Sequence, residues 1–194
     1  MTKLSSRGDT IIELVLAFAI FSLAAVTTVA VLNNGIAVTQ RSLEDTLVRQ
    51  QIDSQAEMLR YVHDTNDPLW QTLISGVNIV SNPQPFNSGA SQCDKVTTSE
   101  QAFIVYPGTA GETFKRASFP SANYTDEPDT YALINYDSSN TMSQGIWVQV
   151  AKAQNNSGKS IEAYDFYIHA CWMSVGSGMP ETLGTIVRLY DGQQ

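Results

Sequence analysis

The sequence predicts an α+β fold in which a long N-terminal helix, its first half able to span a membrane, packs its second half on an antiparallel β-sheet. Three observations predict it. Residues 11–32 form an apolar run with one charge, Glu13. Apolar positions at helical spacing then continue to about Asp64. Beyond residue 100 the chain turns to strand-like runs, and helix-then-strands is the order of an α+β layout. At 194 residues there is room for one globular domain and an extension.

The N-terminal run sets the topology. As a helix, residues 11–32 span roughly 33 Å, enough for a bilayer core of about 30 Å. Lys3 and Arg7 precede the run without an acid, and residues 33–40 carry no charge. The positive-inside rule therefore puts the N-terminus in the cytoplasm and everything after Leu32 outside. A cleaved secretory signal is one rival, and Thr28-Val29-Ala30 supplies small residues for it. Its apolar region should span only about 7 to 15 residues, however, and this run is longer and holds an acid. A plain single-pass anchor is the second rival. It leaves Glu13 unexplained, although a carboxylate inside a bilayer costs at least about 2.5 kcal/mol and usually marks function. Thr10-x-x-Glu13 also fits a helix capping box, which would account for the acid locally.

Gly8-Asp9-Thr10-Ile11-Ile12-Glu13, followed by Leu14-Val15-Leu16-Ala17-Phe18-Ala19-Ile20, resembles the prepilin signal of type IV pilins and pseudopilins. The resemblance requires a basic leader, a Gly, the acid and the apolar run to coincide; elsewhere only the helix-then-sheet order agrees. It implies a pilin-like fold with a leader at 1–8 and a transmembrane, filament-core helix at 9–34. A globular domain follows at 35–194, with an amphipathic helix at 36–64 and a β-sheet within 100–190. It implies that a prepilin peptidase cuts between Gly8 and Asp9. Glu13, one helical turn further on, then reaches the new amine, its own or a neighbour's, and sets the register of subunit assembly. The implied function is structural and non-enzymatic: a major or minor pilin of a type IV pilus-like surface filament. The implied partners are other pilin subunits, the peptidase, an assembly platform with its ATPase, and the membrane before assembly. No cofactor is implied. A pseudopilin of a type II secretion or DNA-uptake machine would share these features, and a single-pass membrane-anchored extracellular binding domain is the remaining alternative. Asp9 stands where many members have Phe or Met, which leaves methylation of the new amine open. Adhesion, motility and DNA uptake are family roles among which no residue here chooses.

In the second half of the helix, Val48, Ile52, Ala56, Leu59 and Val62 make one apolar face, while Ile36, Leu43 and Leu47 lie nearly opposite. Either the helix bends, or its first part packs on neighbours and its second on its own domain. Asp64-Thr65-Asn66-Asp67-Pro68 ends it. Residues 66–100 read mostly as loop, with a short strand at 77–80. Strands are expected at 102–106, 131–136, 146–150, 164–172 and 185–190. In the longest, Tyr164, Phe166, Ile168, Ala170 and Trp172 share one face; Asp165, Tyr167, His169 and Cys171 share the other. Turn residues at 155–159 predict a hairpin between the third and fourth of these runs.

Charge and cysteines narrow the function classes. With 11 Lys and Arg against 19 Asp and Glu, the formal charge is −8, which repels phosphates and argues against direct binding of nucleic acid or of an anionic membrane surface. Cys93 and Cys171 are the only cysteines, in a segment expected outside, where disulfides persist. An internal bond between them is expected; two buried thiols are the alternative. Two cysteines exclude a cysteine-rich structural zinc site. Gly158-Lys159-Ser160 lacks the first Gly of a phosphate-binding loop, with Ala153 in its place. Asp126, Glu127 and Asp129, with Asp137 nearby, have hard oxygens for calcium but no defined loop spacing, so a solvated turn is preferred and no metal is expected. His63 and His169 belong to no catalytic motif. Tyr124, Tyr131, Tyr136, Trp147, Tyr164, Tyr167 and Trp172 serve core packing at least as well as adhesion. Asn123-Tyr124-Thr125 and Asn155-Asn156-Ser157 match glycosylation acceptors.

Overall fold

A computed structural model describes residues 9–76, 78–81, 83, 93, 101–108, 113–119, 124–125, 128, 130–137, 141–153 and 162–191. Helix α1 runs unbroken over Asp9–Asp64. The chain divides into two units, Met1–Ser42 and Leu43–Gln194, with the division inside this helix.

In the first unit the helix stands alone. Its large apolar side chains from Ile11 to Leu32 are 56–71% exposed. The hydroxyls of Thr27, Thr28 and Thr39 donate to the carbonyls of Leu23, Ala24 and Gly35 at 2.8–3.0 Å, so these polar groups are satisfied within the helix itself. Gly35, which after Asn33-Asn34 is the strong local breaker of this helical stretch, lies inside continuous helix. This segment is long and apolar enough to cross a membrane.

The second unit is α+β, with the rest of α1 against an antiparallel sheet. The expected face forms: Val48, Ile52, Ala56, Leu59 and Val62 are buried, whereas Leu43 is exposed. Asn66 takes a positive φ of 50° after the helix, and Asp67 caps α2 (Pro68–Leu73) by accepting from Leu69 N at 2.9 Å. Among the described residues eight strands follow: β1 (Ala102–Pro107), β2 (Phe114–Ser118), β3 (Tyr124–Thr125), β4 (Leu133–Asn135), β5 (Met142–Gln144), β6 (Ile146–Lys152), β7 (Glu162–Trp172) and β8 (Glu181–Asp191). The main sheet has the order β2-β1-β6-β7-β8 with every pair antiparallel; β3-β5-β4 is a second, small sheet in which β3 runs parallel to β5.

The hairpin of β6 and β7 runs in register from Ile146↔Ala170 to Lys152↔Tyr164; its turn residues at 155–159 lie outside the described residues. Three expectations are corrected. The strand read at 131–136 shortens to β4 and joins the small sheet, because the main sheet pairs β1 directly with β6. Among the described residues of the run at 77–80, only an isolated bridge forms, Ile79 to Val150. Strands β2, β3 and β5 were not expected; their residues are short, mixed runs without alternation. Gly145 lets the chain pass from β5 into β6. Its φ is +67°, and a Cβ there would stand 2.2 Å from the Cys171 carbonyl oxygen, so no other residue fits.

Both faces of β7 are largely buried. Tyr164, Phe166, Ile168, Ala170 and Trp172 join the helix residues in one core with Phe103, Val148 and Val150. The opposite face is covered too: Asp165, His169 and Cys171 are buried.

Candidate functional site

The N-terminal helix carries the residues expected to act. Gly8, at the expected cleavage position, lies outside the described residues. Asp9 is the first residue of α1, and Thr10 is already helical. Thr10 is thus not the residue ahead of the helix, the position a capping box requires of it. Glu13 is exposed on the first turns, flanked by Ile11, Ile12, Leu14 and Val15, which are exposed too.

Cys93 and Cys171 form the expected disulfide, with Sγ–Sγ 2.06 Å and Cα–Cα 5.7 Å. Cys171 lies on β7 beside the buried pair Trp147 and His169, whose rings stack at 5.2 Å. Burial pushes His169 down to about 4, so the ring is neutral near pH 7. The Asp165 carboxylate accepts two hydrogen bonds from Arg188, at 2.6 and 2.7 Å, a bidentate pair that holds β8 to β7.

Several polar residues missed in the sequence position the helix on its sheet. Gln55, fully buried, donates from Nε2 to Val105 O at 2.7 Å and accepts from Val105 N at 2.9 Å. Its amide thereby acts as a stand-in for a neighbouring strand where β1 has left β6. Nε2 also donates to the Tyr136 hydroxyl at 3.0 Å. At one end of this unit the Trp172 indole donates to Glu44 at 3.1 Å; at the other, His63 Nδ1 meets Asp64 at 2.7 Å and Nε2 meets Tyr190 O at 3.0 Å. Both partners of His63 only accept, so the doubly protonated imidazolium satisfies both bonds. Burial disfavours that charge, but these bonds and the nearby Asp64 and Asp191 outweigh it and raise the His63 pKa. The His63–Asp64 contact apart, no local pattern reveals these ties, since their partners lie 50 to 128 residues away.

Asp126, Glu127, Asp129, Asn123 and the segments at 155–157 and 158–160 lie outside the described residues. Asp137 is exposed, and its carbonyl accepts from Thr141 Oγ1 at 3.3 Å. Among the described residues no three His, Cys, Asp or Glu side chains gather as a metal site. Of the aromatic residues weighed for adhesion, Trp147, Tyr164 and Trp172 are buried. No protein-family model, curated protein or solved structure matches the chain.

Proposed function

We propose that this chain is a structural subunit of a type IV pilus-like filament, made as a prepilin, cleaved between Gly8 and Asp9, and polymerised through its N-terminal helix. The observation that carries this reading is the first unit itself. A helix apolar all round, with its large side chains 56–71% exposed, cannot stay in water. It far exceeds the few hundred Å² of apolar patch that a soluble monomer exposes. A bilayer covers it before assembly, with the N-terminus in the cytoplasm; a bundle of like helices covers it in a surface filament.

Glu13 fits both stages. Left alone it is costly in an apolar bundle, but the amine created at Asp9 lies one turn away, on the same chain or a neighbour's, and pairing offsets the cost. Loss of Lys3 and Arg7 with the leader lowers the basic side chains from 11 to 9 against 19 acids, a formal −10. Such subunits repel one another laterally, so the apolar bundle must dominate assembly. The remaining partners follow: a prepilin peptidase, an assembly platform and its ATPase.

Two variants test the reading. Gly8→Ala blocks cleavage, seen as an unprocessed chain on immunoblots; normal processing removes the cleavage assignment. Glu13→Ala leaves cleavage intact and lowers the yield of subunit in sheared surface filaments; wild-type yield removes the register role. Imaging of the same sheared fraction separates a pilus from a pseudopilus.

A further inference from the structure

We infer that the outer edge of β2 is a docking site for an extended acidic peptide of a partner protein, which adds to the sheet as a strand and sets a carboxylate against Arg116. This surface belongs to the globular unit alone and does not depend on the filament reading.

Strand β2 ends one side of the main sheet. Its inner edge pairs with β1 from Phe103↔Ser118 to Pro107↔Phe114, and among the described residues no strand pairs with its outer edge. Such an edge presents N–H and C=O groups that can template a further strand. Successive side chains of β2 alternate in direction. The Tyr61 ring of α1 meets Phe114 edge-on at 5.4 Å, so Phe114 faces the helices. Arg116 and Ser118 share that face, and Lys115 and Ala117 lie on the other.

On the helix side the edge borders a cavity. About 720 Å³ of space lies between α2 and β2, lined among others by Asp67, Leu69, Thr72, Phe114, Arg116 and Ser118. Its size and its make-up, apolar walls with a few converging polar groups, are those of a ligand site. Arg116 is half-buried there, and its guanidinium stands 5.1 Å from the centre of the Phe103 ring, which steadies it. A carboxylate accepts from such a fork through two parallel bonds. Burial lowers the Arg116 pKa, and a carboxylate beside it offsets that cost. Asp67 also lines the cavity, but its carboxylate is occupied in capping α2, where it accepts from Leu69 N at 2.9 Å.

Charge selects the occupant. Lys115-Arg116 is the only adjacent pair of cations in a chain with 19 acids and 11 bases. Natural sheets blunt their edges with short strands and with charge. β2 has five residues and two cations, so it turns basic strands away and admits an acidic one. Two adjacent acids in the added strand fall opposite Arg116 on one face and Lys115 on the other, and an apolar residue falls opposite Phe114. A second copy fits less well. Of the chain's own adjacent acids, Glu44-Asp45 is helical, and Asp126-Glu127 runs into Pro128, which has no N–H for a ladder.

The test uses the full chain in detergent micelles with its disulfide intact. The probe is a fluorescein-labelled, end-capped peptide, Thr-Val-Glu-Glu-Val-Thr, whose residue order is the same in both directions and so suits a parallel or an antiparallel strand. Fluorescence anisotropy should show saturable binding, weakened about tenfold or more when both Glu are replaced by Gln, and abolished when both are replaced by Lys. Methylation of every second backbone nitrogen of the peptide should abolish binding in one phase and spare it in the other, because only alternate N–H groups face β2. Thr72→Glu, an exposed change in the cavity lining, should weaken binding, and Thr72→Lys should tighten it. Absence of binding, equal binding of the Glu and Lys peptides, or indifference to both Thr72 variants overturns the proposal. Displacement of the peptide by millimolar inorganic phosphate, with both methylated phases binding alike, assigns the cavity to small anions and overturns the added strand. Self-association of the chain that the peptide blocks assigns the edge to a second copy and overturns the separate partner.

Discussion

Helix α1 is one continuous element with two opposite fates. From Ile11 to Leu32 its apolar side chains point in every direction and none of the large ones is buried. From Val48 to Val62 they lie on a single face, and that face is sealed against the sheet. The backbone is the same in both; only the angular distribution of apolar residues changes. A helix apolar all round asks for an apolar medium, whereas a striped helix asks for a partner surface. The comparison explains why the two halves belong to different units although no break separates them.

The comparison can be broken experimentally, because all three tryptophans, Trp70, Trp147 and Trp172, belong to the globular unit. Tryptophan fluorescence during denaturant unfolding of the full chain in detergent micelles therefore reports on that unit alone. The largest effect is expected from Cys171→Ser paired with Cys93→Ser. The bond spans 78 positions, and a closed loop of that size stabilises by roughly 4 to 5 kcal/mol in the chain-entropy model. An unchanged midpoint would contradict this. Next comes Leu59→Ala, expected to cost about 3 kcal/mol at a fully buried site. Leu23→Ala, the same change in the other half of the helix, should leave the tryptophan transition where it is. Equal shifts from the two would erase the distinction between the halves.

A smaller loss, about 2 kcal/mol, is expected from Gln55→Ala, which leaves the Val105 N–H and C=O without their side-chain partner in the core. A shift near zero would mean that water takes its place. pH acts in two separate windows, because the two histidines titrate on opposite sides of about pH 6.5. His169 is held down to about 4, so its contribution is present above about pH 6.5 and is lost as pH falls toward 4. His63 is raised, so its contribution is present below about pH 6.5 and is lost as pH rises through its folded value. His169→Gln should flatten the acid side of the stability profile, and His63→Gln the neutral side; unchanged profiles would deny both assignments.

What was legible in the sequence had local periodicity behind it. The apolar run, the face from Val48 to Val62 and the alternation in β7 each repeat over several residues, so they were readable without tertiary information. Strand β2 was hidden because Phe114-Lys115-Arg116-Ala117-Ser118 lies at the sheet edge, half-buried throughout, and has no alternation to detect. The burial of β7's second face was not legible, because His169 and Asp165 are polar; ring stacking on Trp147 and the Arg188 pair make them compatible with burial. Gln55 and Glu44 carry no local signal of their roles, which only contacts at long sequence separation define. At the N-terminus the motif was legible as a resemblance, and the cleavage and assembly proposed from it would depend on other proteins.

The most direct test is peptide mass spectrometry of the N-terminus, on chain taken from membranes and from sheared cell-surface material. A mature chain beginning at Asp9, enriched in the sheared fraction, is the predicted result, and the same peptide reports any methylation of the new amine. A chain retaining Met1 or beginning at Thr2 in both fractions would contradict the account and leave a plain membrane anchor. A start near Val31 would contradict it too, by releasing the globular unit as a secreted domain.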